Sequence, residues 1–281
     1  MTKIELGSFG AVVDPGPGRG FVDLAVELEG LGFSAIWLTG GPLEGLDQIA
    51  EVVRATKRVT VASGIVSVDR FPADDVAALY TELEGAHPGR FVAGLGGAHG
   101  ANPMGTLTSY LDRLDSLPPG ESVPASRRLM AALGPRMVDL ARERAAGAFP
   151  VLITPEYTAR VRERLGDAAT LAVEQLVVVE PDAERARSIA RGPLGFLGRV
   201  PAYQASFRRQ GFAEDEVAQL GDGLLDALVA RGDAGAVAGH VTRHLDAGAD
   251  HVAVSLTTAP DQPASAALDQ WRQLATRLSL A

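Results

Sequence analysis

The sequence contains no cysteine and almost no lysine. Without cysteine there can be no disulfide, thiol nucleophile or thiolate metal site, and the composition fits a reducing compartment. Of the 26 basic residues only Lys3 and Lys57 are lysine. Arginine therefore supplies most of the positive charge, and its guanidinium can hold a carboxylate or phosphate through two parallel hydrogen bonds.

Long apolar runs are also missing. No run approaches the ~18 residues that a membrane-spanning helix needs. The first residues, Met1–Gly7, lack the apolar segment of a signal peptide because Glu5 interrupts them. We therefore expect a cytoplasmic protein with no membrane partner. The formal net charge of −9 argues against nucleic acid as a partner, since phosphate contacts need a clustered positive surface.

Several catalytic motifs are absent as well. The sequence has neither Gly-x-Ser-x-Gly nor Gly-x-x-x-x-Gly-Lys, so hydrolase and nucleotide triphosphatase functions have no supporting motif. His240 and His244 have the four-residue spacing of a zinc-protease helix, but Val241 stands in the second position, where that motif has glutamate. We interpret this pair as part of a solvated helix face and predict no metal site.

The 281 residues show a regular alternation of strand and helix patterns. The predicted strands are continuous apolar runs, which is typical of parallel strands covered on both faces. They are Ile4–Val13, Ser34–Thr39, Val59–Val66, Phe91–Leu95, Arg128–Leu133, Val151–Thr154, Leu171–Val179 and His251–Leu256.

Each predicted strand is followed by helical sequence, and two junctions share a layout in which Gly32 or Gly248 ends a helix just before a buried strand. Eight such units favour a closed (β/α)8 TIM barrel over an open doubly wound sheet. The predicted helices are Phe21–Leu31, Gly45–Lys57, Ala73–Ala86, Thr106–Leu117, Pro135–Ala146, Glu156–Leu165, a longer stretch at about Ala183–Arg231, Ala234–Ala247 and Ala264–Leu278.

Three glycine-containing strand ends are candidate ligand contacts. The loop Gly94–Gly100 is not a dinucleotide fingerprint, because His99 stands where glycine is required and Ala101–Pro103 separates the loop from the next helix. It is either a loop at the catalytic face of a barrel or a plain turn. Gly64 indicates a bulge against a flat ligand or a packing kink. Ala131–Pro135 leads into a helix with proline in its first turn, which indicates an anion site or an ordinary turn.

Five segments carry a resemblance that extends along essentially the whole chain: Leu31–Leu38, Arg58–Val66, His87–Gly96, Ala131–Ala141 and Ala247–Val252. In this order and spacing they resemble the luciferase-like monooxygenase superfamily, a class of flavin- and deazaflavin-dependent oxidoreductases. The resemblance is closest to the actinobacterial branch of coenzyme F420-dependent oxidoreductases, which also carries a phrase like Ile153–Thr158.

The resemblance implies a single (β/α)8 domain with a helical insertion at about Leu194–Gly232, before the last strand. It also implies a cis peptide bond without proline near Gly64–Ile65, in a bulge that presses on the back of the flavin or deazaflavin ring. The other cofactor residues that it implies are Ser67, Gly97 and Asn102 beside the ring and tail, and Leu133, Gly134 and Pro135 around the phosphate.

The chain departs from the resemblance at the end of the second strand. Many deazaflavin members have Asp-His there, whose imidazole assists hydride or proton transfer, whereas this chain has Thr39-Gly40-Gly41. Phe149-Pro150-Val151 stands where the closest branch often has His-Pro-Tyr, and Tyr157 stands where it often has histidine. The usual acid–base group is therefore missing, and we expect a more apolar mouth.

The leading hypothesis is an oxidoreductase that moves a hydride between C5 of F420 and a small organic substrate. His99, Tyr157 and Tyr203 are candidates for proton delivery, and Arg70 either contacts an anionic group or forms a surface salt bridge. One alternative is an FMN-dependent monooxygenase that receives reduced flavin from a separate reductase. The other is a degenerate, non-catalytic barrel that binds a ligand. The resemblance also implies a homodimer.

Overall fold

The computed structural model describes residues 3–16 and 18–280, which form a closed barrel of parallel strands surrounded by helices. The last strand, at 251–256, closes the ring because it pairs with the first strand on one edge and with the strand at 170–179 on the other. This closure confirms the predicted (β/α)8 barrel, since an open sheet would leave two unpaired edge strands.

The third barrel strand is interrupted at Ile65 and is numbered as two strands, β3 and β4. A further strand, β9, lies outside the ring and pairs with the carboxyl end of β8. The strands are β1 (Phe9–Val13), β2 (Ala35–Thr39), β3 (Thr60–Gly64), β4 (Val66–Ser67), β5 (Phe91–Gly96), β6 (Arg128–Met130), β7 (Gly147–Ala148), β8 (Thr170–Val179), β9 (Val229–Gly232) and β10 (His251–Leu256).

Helices follow the barrel strands, as the sequence predicts. None of them, in the part of the chain that the structure describes, is long and apolar enough to cross a membrane. They are α1 (Gly20–Gly30), α2 (Asp47–Ala55), α3 (Ala73–Ala86), α4 (Pro103–Ser116), α5 (Pro135–Arg144), α6 (Pro155–Leu165), α7 (Ala183–Leu197), α8 (Pro201–Gln210), α9 (Glu214–Gln219), α10 (Asp222–Leu228), α11 (Ala234–Asp246) and α12 (Ala264–Arg277).

The strand residues divide between two hydrophobic cores. On β2, Ile36 and Leu38 pack outward against the helices, whereas Ala35 and Trp37 belong to a cluster of strand and loop residues inside the barrel. Alternate residues of a strand point to opposite faces, so this division identifies the lumen face of each strand. The lumen cluster contains Ile4, Leu6, Ala35, Trp37, Ala62, Val92, Leu129, Ala146, Phe149, Ala172 and Ala253.

The first predicted strand, Ile4–Val13, is wrong in its first half. Pairing starts only at Phe9, because Gly7 adopts a φ of 69° and turns the chain out of the extended conformation. Ile4 and Leu6 remain apolar for another reason, since both are buried in the lumen cluster. Their hydrophobicity therefore reflects a plug of the barrel rather than a strand.

The sixth predicted strand, Val151–Thr154, is also wrong. The strand is the earlier Gly147–Ala148, and Val151 contributes only one isolated bridge. Leu152 adopts a φ of 55°, which prevents an extended run. Gly147 is required because a Cβ there would lie 1.8 Å from the carbonyl oxygen of Thr170 on the next strand. Such a short, small-residue strand carries little β-propensity to detect.

The long helical stretch predicted at Ala183–Arg231 divides into four helices, α7 to α10, and ends in strand β9. These helices cover the carboxyl end of β8 and form a separate hydrophobic cluster around Phe207, Leu224 and Leu228. The segment expected to form an insertion, Leu194–Gly232, contains the end of α7, helices α8 to α10 and β9. Short linkers at 211–213 and 220–221 separate the last three helices, and each begins with a residue of positive φ, Gly211 or Leu220.

The interpretation of His240 and His244 as a solvated helix face is wrong. His244 is fully buried, with its ring nitrogens 2.8 Å from Thr158 Oγ1 on α6 and 2.6 Å from Gln175 Oε1 on β8. Burial lowers the pKa of His244 to about 3, so the imidazole is neutral at physiological pH. Burial also lowers the pKa of the half-buried His240.

Candidate functional site

A recess opens at the carboxyl end of the barrel. The lumen-facing residues Val12, Gly64, Glu174 and Ser255 keep part of their surface exposed, whereas the lumen residues two positions earlier on β3, β8 and β10 are fully buried; these are Ala62, Ala172 and Ala253. These four residues come from β1, β3, β8 and β10, which lie on one side of the ring, so their exposure indicates a concavity at this part of the barrel mouth. Ligand sites of (β/α)8 enzymes lie at this end of the barrel.

The floor of the recess is an aromatic stack. Trp37 and Phe149 lie with ring centroids 4.1 Å apart and planes 5° from parallel. The indole Nε1–H of Trp37 donates to His251 Nε2 at 2.9 Å, and His251 Nδ1 lies 2.7 Å from the carbonyl oxygen of Gly7. Burial lowers the pKa of His251 to about 4, so its neutral imidazole serves to fix the Trp37 ring.

One wall of the recess is the bulge between β3 and β4. The peptide bond between Gly64 and Ile65 is cis, as the resemblance implies. A Cβ on Gly64 would lie 3.1 Å from the Phe149 ring, so the bulge rests directly on the aromatic floor. The structure also explains Gly40, because a Cβ there would lie 1.7 Å from the carbonyl oxygen of Ile65.

The polar part of the recess is centred on Glu174. Thr170, Ala172 and Glu174 share one face of β8, and Ala172 belongs to the lumen cluster, so the Glu174 carboxyl also faces the lumen. Burial raises the pKa of Glu174 to about 7; Asp14 contributes further to the rise, and the nearby Ser255 hydroxyl opposes it. Above the recess, Tyr203 on α8 has its pKa raised to about 12 by burial and by the charge of Glu174.

Sequence reasoning proposed Tyr203 but missed Glu174. The available signal was a single acidic residue inside the apolar run Leu171–Val179. A carboxylate in a buried strand is rare unless it is paired or functional, so that position could have been singled out. Its partners could not, because Asp14, Tyr203 and Ser255 are distant from it in sequence.

The predicted phosphate-binding segment forms the start of α5. Gly134 is the residue that caps this helix and Pro135 is its first residue, which leaves backbone N–H groups pointing away from the helix. Arg209, on α8, reaches over the same segment, with its Nη2 donating to the Leu133 carbonyl oxygen at 2.9 Å. A Cβ on Gly134 would lie 3.2 Å from that guanidinium. Sequence reasoning did not identify Arg209.

A groove of about 730 Å³ continues from Pro135 between α5 and α6. We call it the arginine groove, because four of its lining residues are arginines and only two are acidic. Its surface therefore carries positive charge on a protein whose net charge is −9. The charged lining residues are Arg142, Arg160, Arg164, Arg209, Asp139 and Glu163, and Tyr157 lines the groove with them.

The remaining predicted site residues have separate local contacts. Asn102 caps α4 by accepting the Gly105 N–H at 3.1 Å. The Ser67 hydroxyl donates to the Gly97 carbonyl oxygen at 3.2 Å, which ties β4 to the loop after β5. His99 is exposed, and its backbone N–H donates to Asp69 at 2.8 Å.

Arg70 makes backbone contacts rather than the surface salt bridge that was its alternative role. Its guanidinium donates to the Gly41 and Leu43 carbonyl oxygens at 3.2 and 2.8 Å and lies 5.2 Å from the Phe71 ring centroid. It therefore holds the loop after β2 against the bulge. Among residues 3–16 and 18–280, no three acidic or histidine side chains are grouped so that they could hold a metal ion.

Neither a protein-family model nor a curated protein matches this chain in sequence. Solved structures do match it along nearly its whole length. The structure of an F420-dependent secondary alcohol dehydrogenase in complex with an F420–acetone adduct is similar to this chain, with 16% sequence identity and a TM-score of 0.73. The alignment covers 99% of this chain and 99% of that chain.

Two further structures are similar. The coenzyme F420-dependent tetrahydromethanopterin reductase from Methanopyrus kandleri is 16% identical, with a TM-score of 0.72 over 97% of this chain and 98% of that chain. The oxygenating constituent of 3,6-diketocamphane monooxygenase from Pseudomonas putida, in complex with FMN, is 15% identical, with a TM-score of 0.66 over 97% and 98%. These likenesses show a shared fold.

Proposed function

We propose that this chain is an oxidoreductase that uses coenzyme F420 to transfer a hydride to or from a small organic substrate. The observation that carries the proposal is the recess, whose wall at Gly64–Ile65 and floor at Trp37 and Phe149 are flat and apolar. Structures with this fold include complexes with an F420 adduct and with FMN. A planar ring that lies against this bulge would occupy the recess at the carboxyl end of the barrel, where the lumen-facing residues are partly exposed.

The residues present fit a ring with a phosphate-bearing side chain. Ile65 would contact the face of the ring, and the glycine at position 64 lets the bulge lie directly on the aromatic floor. The first turn of α5, after Gly134 and Pro135, would bind the phosphate through backbone N–H groups, with the Arg209 guanidinium beside it. When bound, the cofactor supplies the hydride chemistry, and the protein supplies position and electrostatics.

The arginine groove favours F420 over FMN. FMN ends at its phosphate, whereas F420 continues beyond it with a chain of glutamyl carboxylates. Because the groove starts at Pro135, it lies where that chain would leave the phosphate. Arg160 and Arg209 make no ion pair with the acidic residues that line the groove, whereas Arg164 pairs with Asp139 at 2.5 Å. These two guanidiniums are therefore the main candidates for binding the anionic chain.

Fluorescence titration of the purified protein with F420 and with FMN tests the proposal. We expect F420 to bind more tightly. The Gly134→Asp variant should weaken both cofactors at least about tenfold, because one added charge at ~5 Å from the phosphate costs 1–3 kcal/mol near a protein surface. The control is Gly134→Asn, since asparagine and aspartate both cap helices well and only aspartate repels an anion.

The outcomes separate the alternatives. Arg160→Ala should weaken F420 and leave FMN unchanged. Tighter binding of FMN, insensitive to Arg160, would instead support an FMN-dependent monooxygenase supplied by a separate reductase. If neither cofactor binds, the chain is a non-catalytic barrel. We also expect a homodimer, which sedimentation of the same samples measures.

A further inference from the structure

We propose that Glu174 is the acid–base residue of this site and that the substrate is a small carbonyl compound or the corresponding alcohol. The inference rests on the proposed function, because hydride transfer to a carbonyl carbon leaves an oxygen that must gain a proton. Among the side chains that face the recess, Glu174 carries a carboxyl that can exchange this proton.

The position of Glu174 is determined by the barrel backbone. Its N–H donates to the Pro150 carbonyl oxygen at 3.0 Å, and its residue pairs with Ala253 of β10 in the register of the closed ring. The side chain thus projects from a rigid strand into the recess, on the same face as the lumen residue Ala172 and two positions further along the strand. Catalytic groups on strands are held more accurately than groups on loops.

Glu174 lacks the partner that a structural carboxylate would have. The chain carries 26 basic residues, yet among residues 3–16 and 18–280 no lysine or arginine lowers the pKa of this carboxyl. The neighbouring charge is Asp14, which has the same sign, and the hydroxyl groups beside the carboxyl are those of Ser255 and Tyr203. A half-buried carboxyl without a cation destabilises the fold when ionised, which is typical of functional sites.

The titration of Glu174 suits proton exchange near neutral pH. The groups that face it are Asp14 from the end of β1, Ser255 from β10 and Tyr203 from α8. With a pKa of about 7, the carboxyl is present in both protonation states at neutral pH, so it can donate or accept. Tyr203 stays protonated there because its pKa is about 12, and its phenol can donate a hydrogen bond to the same substrate oxygen.

In the reducing direction, the carbonyl carbon would gain a hydride, which the bound cofactor would supply in its reduced form, and the C=O π-bond would open. The carbonyl oxygen takes the proton of the Glu174 carboxyl, which becomes a carboxylate. In the oxidising direction, the Glu174 carboxylate would remove the hydroxyl proton as the C–H bond of the alcohol breaks, and the bound cofactor in its oxidised form would take up the hydride.

Single-turnover kinetics of the F420-loaded protein test this assignment. Reduced F420 bound to wild type, Glu174→Gln, Glu174→Asp and Glu180→Gln is mixed with acetone and a panel of small ketones and aldehydes, and cofactor oxidation is followed by absorbance from pH 5.5 to 8.5. We expect the wild-type rate to fall above pH 7. The Glu174→Gln variant should show no pH dependence, and its rate should be about a hundredfold to ten-thousandfold lower than that of the wild type. Glu174→Asp should regain part of the rate.

Glu180→Gln is the matched control, because Glu180 follows the same strand but pairs with Arg185 outside the recess. It should keep the wild-type rate and pH profile. Equal F420 affinity in all four proteins shows that each variant folds and that the proposed cofactor site is intact. If Glu174→Gln binds F420 normally and keeps the wild-type rate, the assignment of Glu174 is wrong but the proposed function stands. The same conclusion follows if the F420-loaded wild type reduces none of the carbonyl compounds. Loss of F420 binding in the wild type overturns the proposed function itself.

Discussion

The ionisation of Glu174 should make the wild-type protein less stable at alkaline pH than its Glu174→Gln variant. Burial raises the pKa of Glu174 from its ordinary value of 4.5 to about 7 in the folded state. Between these values the unfolded chain is ionised and the folded chain keeps its proton, so stability falls as pH rises through this interval. Above about pH 7 the carboxylate is charged in both states and the full penalty applies.

Each pH unit between the two pKa values changes the free energy of unfolding by about 1.4 kcal/mol. The loss of stability from the ionisation of Glu174 therefore has an upper bound of about 3 kcal/mol. Because part of the Glu174 side chain is exposed to the recess, we expect about 2–3 kcal/mol. Glutamine has the same shape and no charge. The free energy of unfolding of Glu174→Gln, measured relative to that of the wild type, should therefore be about 2–3 kcal/mol larger at pH 8.5 than at pH 4.5. This difference corresponds to a rise of about 5–10 °C in Tm.

Urea unfolding of both proteins at the two pH values measures this difference. The comparison removes the contributions of His244, His251 and the surface ion pairs, because both proteins share them. Glu180→Gln again serves as the control and should follow the wild type. A constant difference between wild type and Glu174→Gln from pH 4.5 to 8.5 would refute the burial argument, since it would mean that Glu174 ionises in the folded state as it does in the unfolded chain.

Three other predictions concern stability. Burial lowers the pKa of His244 to about 3, so the stability that its neutral imidazole provides is lost as pH falls below 6.5. Between pH 7 and pH 5 the wild type should lose about 2 kcal/mol for this reason, and His244→Gln should not show that part of the loss. The same acid dependence in both proteins would contradict this. Phe149→Ala should cost about 3–5 kcal/mol in urea unfolding, and a cost under 1 kcal/mol would mean that the stack on Trp37 does not support the floor. Gly32→Ala should destabilise the protein by more than 1 kcal/mol, because φ is 94° and the new Cβ would lie 2.3 Å from the Leu280 carbonyl oxygen. Gly30→Ala, which meets nothing within 4 Å, should cost nothing, and equal effects would contradict the argument.

Residues with a local signal were predicted from the sequence. Gly64 interrupts a β-branched run, and the bulge and cis peptide lie there. Gly134 and Pro135 combine a helix cap with a proline at the first position, and α5 starts as expected. In both cases the backbone conformation depends on neighbouring residues, so a few letters of sequence carry the information.

The other site residues depend on contacts between distant segments. Arg209 lies 76 residues from the Leu133 carbonyl oxygen that it contacts, and no local pattern connects them. His244 was misinterpreted for the same reason, because a helix pattern does not show which side packs on β8 and α6. Strand β7 was missed because its two small residues are defined by the close approach of Thr170 rather than by β-propensity.

The sequence by itself determined the eight-fold alternation, the parallel strands and the glycines at the strand ends, because hydrophobic periodicity and backbone conformation are local properties. Only the tertiary structure decided which face of β8 points into the lumen and therefore where Glu174 lies. That choice depends on closing β10 against both β1 and β8, since the register of the closed ring assigns every side chain to the lumen or to the helices.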